Sequence, residues 1–272
     1  MTSGSANLVP AIVAESLTRR FNGRTAVDRL TLSVAPGAIF GLLGPNGAGK
    51  STTIKMLTTL LPPTSGSARV AGHDIIREPT LVRRAIGYVP QLLSADGGLT
   101  GEENLTLSAR LYDLPRHERA GRIAEALAFM GLADVAGNLV KTYSGGMVRR
   151  LELAQAMLHH PRVLFLDEPT IGLDPIARHA VWDRLQEARR QFATTILITT
   201  HDMEEAEALC DQLAIMHDGV VAALGTPPDL RRQVGPTATL DDVFTHFVGG
   251  TISDEGNLRD IRRTRGIATR LG

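Results

Sequence analysis

The chain has 272 residues, 43% of them hydrophobic and 21% charged, which is the composition of a globular protein with a substantial core. Lys plus Arg and Asp plus Glu number 29 each, so no net charge favours nucleic acid as a partner. The only cysteine, Cys210, excludes an intramolecular disulfide, which fits a reducing cytoplasm. It lies in a helical run, where we expect a small buried side chain rather than a nucleophile.

The first segments predict a leader followed by β-structure. Residues 1–9 are expected to be a loose leader without a secretory signal, since residues 1–7 are small and polar and lack a basic start. Short β-type segments over residues 11–34 flank the turn pair Asn22-Gly23. No segment reaches the roughly 18 apolar residues that cross a bilayer, so any membrane channel would be another polypeptide.

The next apolar run, Ile39–Leu43, predicts a buried strand. It leads into a match to the phosphate-binding pattern G-x-x-x-x-G-K-[ST], formed by Gly44, Pro45, Asn46, Gly47, Ala48, Gly49, Lys50, Ser51 and Thr52. The glycines let backbone N–H groups approach an anion, and a helix beginning near Lys50 adds the positive end of its dipole. Lys50 supplies a charge for the β- and γ-phosphates, and the Ser51 hydroxyl can ligate Mg²⁺. The match predicts a nucleotide site without saying what the nucleotide is for.

Alternating strands and helices follow. Core parallel strands are predicted at residues 41–43, 86–89, 163–166 and 195–199. Residues 92–158 are mostly helical, with apolar positions in 118–130 at helical spacing. Further strand-like segments are residues 67–71 and 211–224, and Asp218-Gly219 predicts a hairpin in the second of these.

Two acids end the strand at 163–166. Asp167 would lie at the carboxyl end of a central parallel strand, where ligands bind in open α/β sheets, and it could complete a Mg²⁺ shell beside Ser51. Glu168 could polarise an attacking water. A strand ending in a polar turn would give the same residues, but the phosphate-binding loop argues against that simpler interpretation.

Other polar positions are ambiguous when taken alone. Ser144-Gly145-Gly146 begins a helix and is either an anion-binding N-terminus or an ordinary cap. Asp174-Pro175 has the N-cap and first-turn proline that begin a helix, here over residues 175–190. Gln91 and His201 each follow a core strand, and each could be a loop or capping residue.

The order of these motifs resembles that of the ATP-binding cassette (ABC) ATPases, over roughly residues 10–230. Within the family the chain is most similar to cassettes of bacterial exporters of the daunorubicin-resistance type. That narrower likeness rests on residues 99–105 (LTGEENL) and 239–244 (TLDDVF). The signature of the family usually reads Leu-Ser-Gly-Gly-Gln, and here Tyr143 and Met147 replace its ends.

The resemblance implies an ATPase that binds ATP and Mg²⁺. Its fold would be α/β, with a P-loop NTPase core of mostly parallel strands, an antiparallel β subdomain and a helical subdomain at about residues 92–158. Glu168 would be the general base, and His201 would hold the γ-phosphate end of the site. Gln91 would be the hinge to the helical subdomain, and it would reach the Mg²⁺ region together with Ser51 and Asp167.

The resemblance also implies a shared site. Two copies would bind two ATP molecules head to tail, each between the phosphate-binding loop of one chain and Ser144-Gly145-Gly146 of the other. The loop that contains Asp174 would cross this interface. Phe21 takes the place of an aromatic residue that stacks on adenine, although a core position would suit it equally.

A peripheral location at the cytoplasmic face of the cell membrane follows from the same resemblance. ATP hydrolysis would power export of a drug-like or lipophilic substrate through a separate membrane permease. A lipid or polysaccharide exporter or an importer subunit would carry the same motifs. A soluble cassette protein acting on ribosomes or DNA is less favoured, because the chain has one cassette, no heptad run and no zinc-binding cysteines. A simple phosphotransferase would have no use for the signature helix.

Residues 231–272 are expected to form a C-terminal extension, with a solvated basic tail from residue 251.

Overall fold

The computed structural model describes residues 9–249, so residues 1–8 of the predicted leader and the predicted tail from 251 lie outside the described residues. In chain order the elements are β1 (Ile12–Phe21), β2 (Arg24–Val34), β3 (Ile39–Leu43), α1 (Lys50–Leu57), β4 (Ser65–Val70), β5 (His73–Asp74), α2 (Pro79–Ala85), β6 (Ile86–Val89), α3 (Gly101–Leu111), α4 (Arg119–Phe129), α5 (Gly145–Met157), β7 (Val163–Asp167), α6 (Pro175–Phe192), β8 (Thr195–Thr200), α7 (Met203–Leu209), β9 (Gln212–His217), β10 (Val220–Gly225), α8 (Pro227–Val234) and α9 (Leu240–Phe244). Short 3₁₀ turns at Ala133–Val135 and Val140–Thr142 precede α5, and a π-helical turn at Thr245–Gly249 follows α9.

The central sheet has the order β10-β9-β3-β8-β7-β6. Strands β3, β6, β7, β8 and β9 run parallel, and β10 is an antiparallel edge strand. Every residue of β3, β7 and β8 is buried, which explains their continuous apolar runs. The four predicted parallel strands are confirmed. The hairpin at Asp218-Gly219 is also confirmed, but its pattern did not indicate that β9 pairs in parallel with β3.

The second sheet has the order β2-β1-β4-β5 and is antiparallel. Asn22-Gly23 forms the predicted turn between β1 and β2. One face of this sheet packs with α1 against the central sheet, and the shared core includes Ile12, Phe40 and Ile54. In this packing, β2 lies against the loop that follows β3, with the carbonyl oxygen of Ala26 close to Gly49.

Helices α3, α4 and α5 form the predicted helical subdomain. Helix α3 begins with a capping box between Thr100 and Glu103, and α4 covers the predicted 118–130 segment. A core that includes Leu105, Leu127 and Leu151 joins these helices to the other face of the central sheet. The central sheet therefore has the helical subdomain on one face and α1 with the antiparallel sheet on the other. This arrangement confirms the predicted fold class.

The end of the described chain continues the fold. Buried residues of α8 and α9, among them Leu230 and Val243, pack into the core that the helical subdomain shares. Cys210 is buried, as expected, but it is the C-cap of α7 rather than a residue within the helix. Within residues 9–249, no helix combines the length and the apolar character that a membrane span requires.

Candidate nucleotide-binding site

The phosphate-binding loop connects β3 to α1, as its motif requires. Gly47 and Gly49 have φ of +85° and +103°, a region that side chains with a Cβ rarely adopt. A Cβ at Gly44 would lie 2.4 Å from the carbonyl oxygen of Met216, and one at Gly49 would lie 2.5 Å from that of Ala26. These two glycines therefore let the loop pack against β9 and β2 while its N–H groups remain available to an anion.

A cavity of about 310 Å³ lies above this loop. Its walls are residues 45–52 of the loop and α1, together with Ala26, Gln91 and Glu168. The N-terminus of α1 opens onto the cavity, so the helix dipole favours a negatively charged occupant. The volume and the polar walls fit the phosphate groups of a nucleotide.

Lys50 is almost completely buried at the cavity. Its Nζ donates hydrogen bonds to the carbonyl oxygens of Gly44 and Pro45, at 2.7 and 3.2 Å. It also lies 3.5 Å from Glu168 Oε1. Burial lowers the pKa of Lys50, and attraction to Glu168 and Asp167 opposes that shift. The ammonium group is therefore held by two carbonyl oxygens and the Glu168 carboxylate, which a bound phosphate would have to displace.

Asp167 ends β7 and accepts two hydrogen bonds at one oxygen. Ser51 Oγ donates to Asp167 Oδ1 at 3.0 Å, and Thr199 Oγ1 donates to the same atom at 2.6 Å. The hydroxyl of Ser51, the carboxylate of Asp167 and the nearby amide of Gln91 provide the oxygen donors that Mg²⁺ takes when phosphates complete its shell. The donor set fits the predicted metal position.

Glu168 is the centre of the polar cluster. Its side chain is buried and accepts a hydrogen bond from Gln91 Nε2 at 3.1 Å, and its Oε1 lies 3.3 Å from His201 Nδ1. Its backbone has φ of +50°, and its N–H donates to the carbonyl and the hydroxyl oxygen of Thr199. These two hydrogen bonds hold the residue in a conformation that side chains with a Cβ adopt only rarely. The folded chain thus brings Lys50, Gln91, His201 and Glu168 together, as the sequence predicts.

Ser144 and Gly145 are exposed at the N-terminus of α5 and are not among the walls of the cavity. Ser144 caps the helix by accepting a hydrogen bond from the N–H of Met147 at 3.3 Å. Gly146 is buried against α6, where an added Cβ would lie 2.7 Å from Ala177 Cβ. Of the three predicted signature residues, Ser144 and Gly145 are therefore exposed at the protein surface, whereas Gly146 is not.

The unusual ends of the signature face the core. Tyr143 is buried, and its hydroxyl donates to the carbonyl oxygen of Val135 at 2.7 Å. Met147 is half-buried against the same core as the helical subdomain. Tyr143 and Met147, which replace the usual Leu and Gln of the signature, therefore pack inside the subdomain and do not cover Ser144 and Gly145.

Two other predicted site residues lie outside the cavity walls. Asp174 caps α6 by accepting a hydrogen bond from the N–H of Ala177 at 3.0 Å. Phe21 is 41% exposed, which overturns the alternative of a core position. The guanidinium carbon of Arg19 lies 4.5 Å from the centre of its ring, in cation–π geometry.

Thr199 is a site residue that the sequence reasoning missed. It links the two acids, since its hydroxyl donates to Asp167 and also accepts from the Glu168 N–H. A hydroxyl residue at the carboxyl end of β8, next to the strand that carries the acids, is the signal that could have found it. The prediction treated it only as part of a core strand.

The comparisons with known proteins agree with this geometry. The family model for ABC transporters matches residues 27–171. The chain belongs to this ABC family as an ATP-binding subunit. Members of the family bind and hydrolyse ATP, and the chain is an ATPase.

Two relatives and one solved structure show how far the similarity extends. The daunorubicin/doxorubicin resistance ATP-binding protein DrrA of Streptomyces peucetius is 48% identical over 225 residues, which cover 83% of this chain and 68% of the relative. The linearmycin resistance ATP-binding protein LnrL of Bacillus subtilis is 39% identical over 82% of this chain and 71% of the relative. A solved ATP-binding subunit of an ABC transporter superposes with a TM-score of 0.78 at 33% identity, covering 87% of this chain and 99% of the other.

Proposed function

We propose that the chain is the ATPase subunit of an exporter that moves a drug-like or lipophilic substrate through a separate membrane permease. The cluster in which Lys50, Gln91 and His201 surround the Glu168 carboxylate carries the proposal for the chemistry. The similarity to two proteins named for antibiotic resistance supports the substrate class.

Hydrolysis would proceed by positioning and charge neutralisation. Bound Mg²⁺, held by Ser51 and Asp167 with help from Gln91, would neutralise charge on the β- and γ-phosphates. Lys50 would exchange its contact with Glu168 for the phosphates, which would free the Glu168 carboxylate to take a proton from water. His201 would then contact the γ-phosphate. The short distances within the present cluster support this exchange of partners.

The adenine would lie outside the phosphate cavity. The proposed contact is with Phe21, because its ring is exposed at the end of β1, where Arg19 lies over it. A phenyl ring stacks on any purine without hydrogen bonds, so this contact would add affinity but little selectivity for adenine.

The second half of the site would come from a second copy. Ser144 and Gly145 are exposed at the N-terminus of α5. In a head-to-tail dimer they would meet the γ-phosphate bound by the other copy. Asp174 begins the helix that packs on Gly146, which puts it beside the same interface.

A groove beside Gln91, with both polar and apolar walls, is the proposed docking site for the permease. The groove has a volume of about 280 Å³, and its walls include Pro90, Ser94, Leu111 and Tyr112. Leu111 is one of its walls and is 74% exposed. Leu107 on the same helix and Leu92 and Leu93 in the loop after Gln91 are also exposed, Leu92 by 82%. Such a patch is typical of a protein interface, and family membership supports a cytoplasmic segment of a permease as its occupant. The chain would then be peripheral to the cytoplasmic face of the membrane.

Transport in inverted membrane vesicles tests this function. With its permease, the chain should give ATP·Mg²⁺-dependent uptake of an anthracycline, and Lys50→Ala should abolish it. Leu111→Glu should lower co-purification with the permease while leaving hydrolysis by the isolated chain intact. Uptake that persists in Lys50→Ala membranes would contradict the proposal.

A further inference from the structure

Two charged residues of α5 are buried beneath the site and have no role in the proposed chemistry. Arg149 and Glu152 are each 2% exposed, and Arg149 Nη1 donates to Glu152 Oε2 at 3.0 Å. They are one helical turn apart on the helix that begins beside Ser144. Burying such a pair costs desolvation energy that apolar side chains would avoid, so its position calls for an explanation beyond stability.

The Arg149–Glu152 pair holds both ends of residues 90–95, which we call the Gln91 loop. Arg149 Nη1 and Nη2 donate to the carbonyl oxygens of Pro90 and Gln91, at 2.8 and 2.9 Å. At the other end Glu152 Oε1 accepts from the hydroxyl of Ser94 at 3.1 Å, and also from the N–H groups of Ser94 and Ala95. The loop is thus fastened at its start by a guanidinium and at its end by a carboxylate.

This fastening joins two functional positions. The Gln91 side chain reaches Glu168 at the cavity, while the Gln91 carbonyl is bonded to α5. The planar guanidinium of Arg149 fixes both the distance and the direction of its hydrogen bonds to the carbonyl oxygens of Pro90 and Gln91. Helix α5 is rigid, so a displacement of Arg149 moves the rest of the helix with it. A shift of Gln91 on nucleotide binding would therefore be passed to the first turn of α5.

We propose that Arg149 and Glu152 are positioning residues that make the Gln91 loop and α5 move as one body. Nucleotide contact at Gln91 then sets the position of Ser144 and Gly145, without a permease or a second copy. The inference rests on the proposed roles of Gln91 and of the α5 N-terminus. It assigns the coupling to a pair of side chains that do not touch the nucleotide.

The test removes the pair without leaving a lone buried charge. Arg149→Met/Glu152→Leu replaces both residues with apolar side chains of similar size, a change that folded proteins often tolerate. Arg150→Met is the matched control, because Arg150 lies on the same helix and donates to the carbonyl oxygen of Met130 at 2.9 Å instead of to the Gln91 loop. Fluorescence of the single tryptophan, which is buried in α6, checks that each variant is folded.

Hydrogen exchange is measured on the isolated chain, with and without AMP-PNP and Mg²⁺. All chains carry Gly145→Asp, which places a like charge where a partner's phosphate would bind, so that changes in α5 arise within one chain. A Cβ at Gly145 meets only Leu173, at 3.7 Å, so the residue fits. Nucleotide should change the exchange of the first two turns of α5 by about twofold or more in the otherwise intact chain and in Arg150→Met. In the double variant only the phosphate-binding loop should respond.

Steady-state kinetics without Gly145→Asp provide the second measurement. The double variant should lose about tenfold in kcat with KM within about twofold of the intact value, whereas Arg150→Met should keep both within about twofold. Equal losses in the two variants would mean a structural role and would overturn the proposal. So would an α5 response that survives in the double variant, or one that is absent from the intact chain.

A single substitution decides the matter if the double variant does not fold. Arg149→Lys keeps the charge beside Glu152 but has no fork to bond two carbonyl oxygens at once, so the α5 response should fall by about half or more. An unchanged response would overturn the proposal. Failure of the shared-site proposal would be seen separately, as normal hydrolysis in chains that carry Gly145→Asp.

Discussion

Replacing Glu168 by Gln separates proton transfer from the shape of the site. The amide is the same size, and its oxygen can still accept the hydrogen bond that Gln91 Nε2 donates at 3.1 Å. It cannot take a proton from water, so loss of the general base should reduce kcat about 10²–10⁴-fold, or roughly 3–5 kcal/mol. KM should not increase, because no phosphate contact is removed.

The same substitution should strengthen ATP binding. Glu168 Oε1 and Lys50 Nζ are 3.5 Å apart in a buried setting. At an effective dielectric constant of about 20, their Coulomb attraction is about 5 kcal/mol, most of which the desolvation of both groups offsets. ATP must displace this attraction to engage Lys50, so we expect the affinity of the variant to rise about tenfold, or ~1.4 kcal/mol.

The gain in affinity should shrink as the pH rises. Burial lowers the pKa of Lys50, and the neighbouring Glu168 carboxylate is the first of the groups that raise it again. Without that carboxylate, Lys50 of the free variant loses its proton at a lower pH than in the wild-type chain. Binding of ATP then requires protonation, so the advantage of the variant should decline toward alkaline pH.

Steady-state hydrolysis and equilibrium binding of ATP·Mg²⁺ measure the two effects. Glu204→Gln is the matched control, because that carboxylate is 66% exposed and lies beside Arg178 outside the Glu168 cluster. The control should keep kcat within about twofold of the wild-type value. A Glu168→Gln chain that hydrolyses ATP within about tenfold of the wild-type rate would refute the assignment of the base.

Three further predictions test other parts of the site. Lys50→Ala should lower hydrolysis by about a hundredfold or more, and an unchanged rate would remove the phosphate-binding loop from the mechanism. Equal mixtures of Lys50→Ala and Gly145→Asp chains should recover up to about a quarter of wild-type hydrolysis, since half the dimers are mixed and each holds one intact site. Verified mixed dimers no more active than either parent would contradict this. Burial raises the pKa of Glu205, so the wild-type chain should lose stability as pH rises above the usual acid range, whereas Glu205→Gln should not. Urea unfolding followed by Trp182 fluorescence should therefore show the free energy of unfolding of the variant rising relative to that of the wild-type chain as the pH increases from about 4, and a constant difference would contradict the shift.

The sequence best predicts those parts of the site that are formed by contiguous motifs. The phosphate-binding loop needs only glycines at fixed positions, a lysine and a helix start, so its local sequence determines its shape. Asp167 and Glu168 were predicted from one further rule, namely that ligands gather at the carboxyl ends of parallel strands. The strained backbone at Glu168 is not visible in the sequence, because a glutamate gives no local signal for a positive φ.

Contacts between distant segments could not be predicted in the same way. Arg149 and Glu152 lie in an amphipathic helix, where a charged pair at i and i+3 is usually solvated. Their partners in the Gln91 loop are 57 to 59 residues earlier in the chain, and only the folded structure shows that the pair is buried against them. The role of Tyr143 could not be predicted for the same reason. In the sequence it is only a departure from the usual signature, whereas in the structure its hydroxyl donates a hydrogen bond to the carbonyl oxygen of Val135.

The charges of a single chain support the proposal that the site needs two copies. ATP with one Mg²⁺ remains an anion, and the cavity that would receive it already has the Glu168 carboxylate in its wall and the Asp167 carboxylate behind Ser51. Lys50 and the loop N–H groups would neutralise part of the added charge, whereas the exposed N-terminus at Ser144 is not among the walls of the cavity. A second copy that brings this N-terminus to the γ-phosphate would supply the missing positive potential. Because hydrolysis detaches the γ-phosphate, the same attraction disappears after the reaction. Assembly and separation of the two copies would therefore follow the nucleotide, and the Gln91 loop would convey each change to the permease groove beside it.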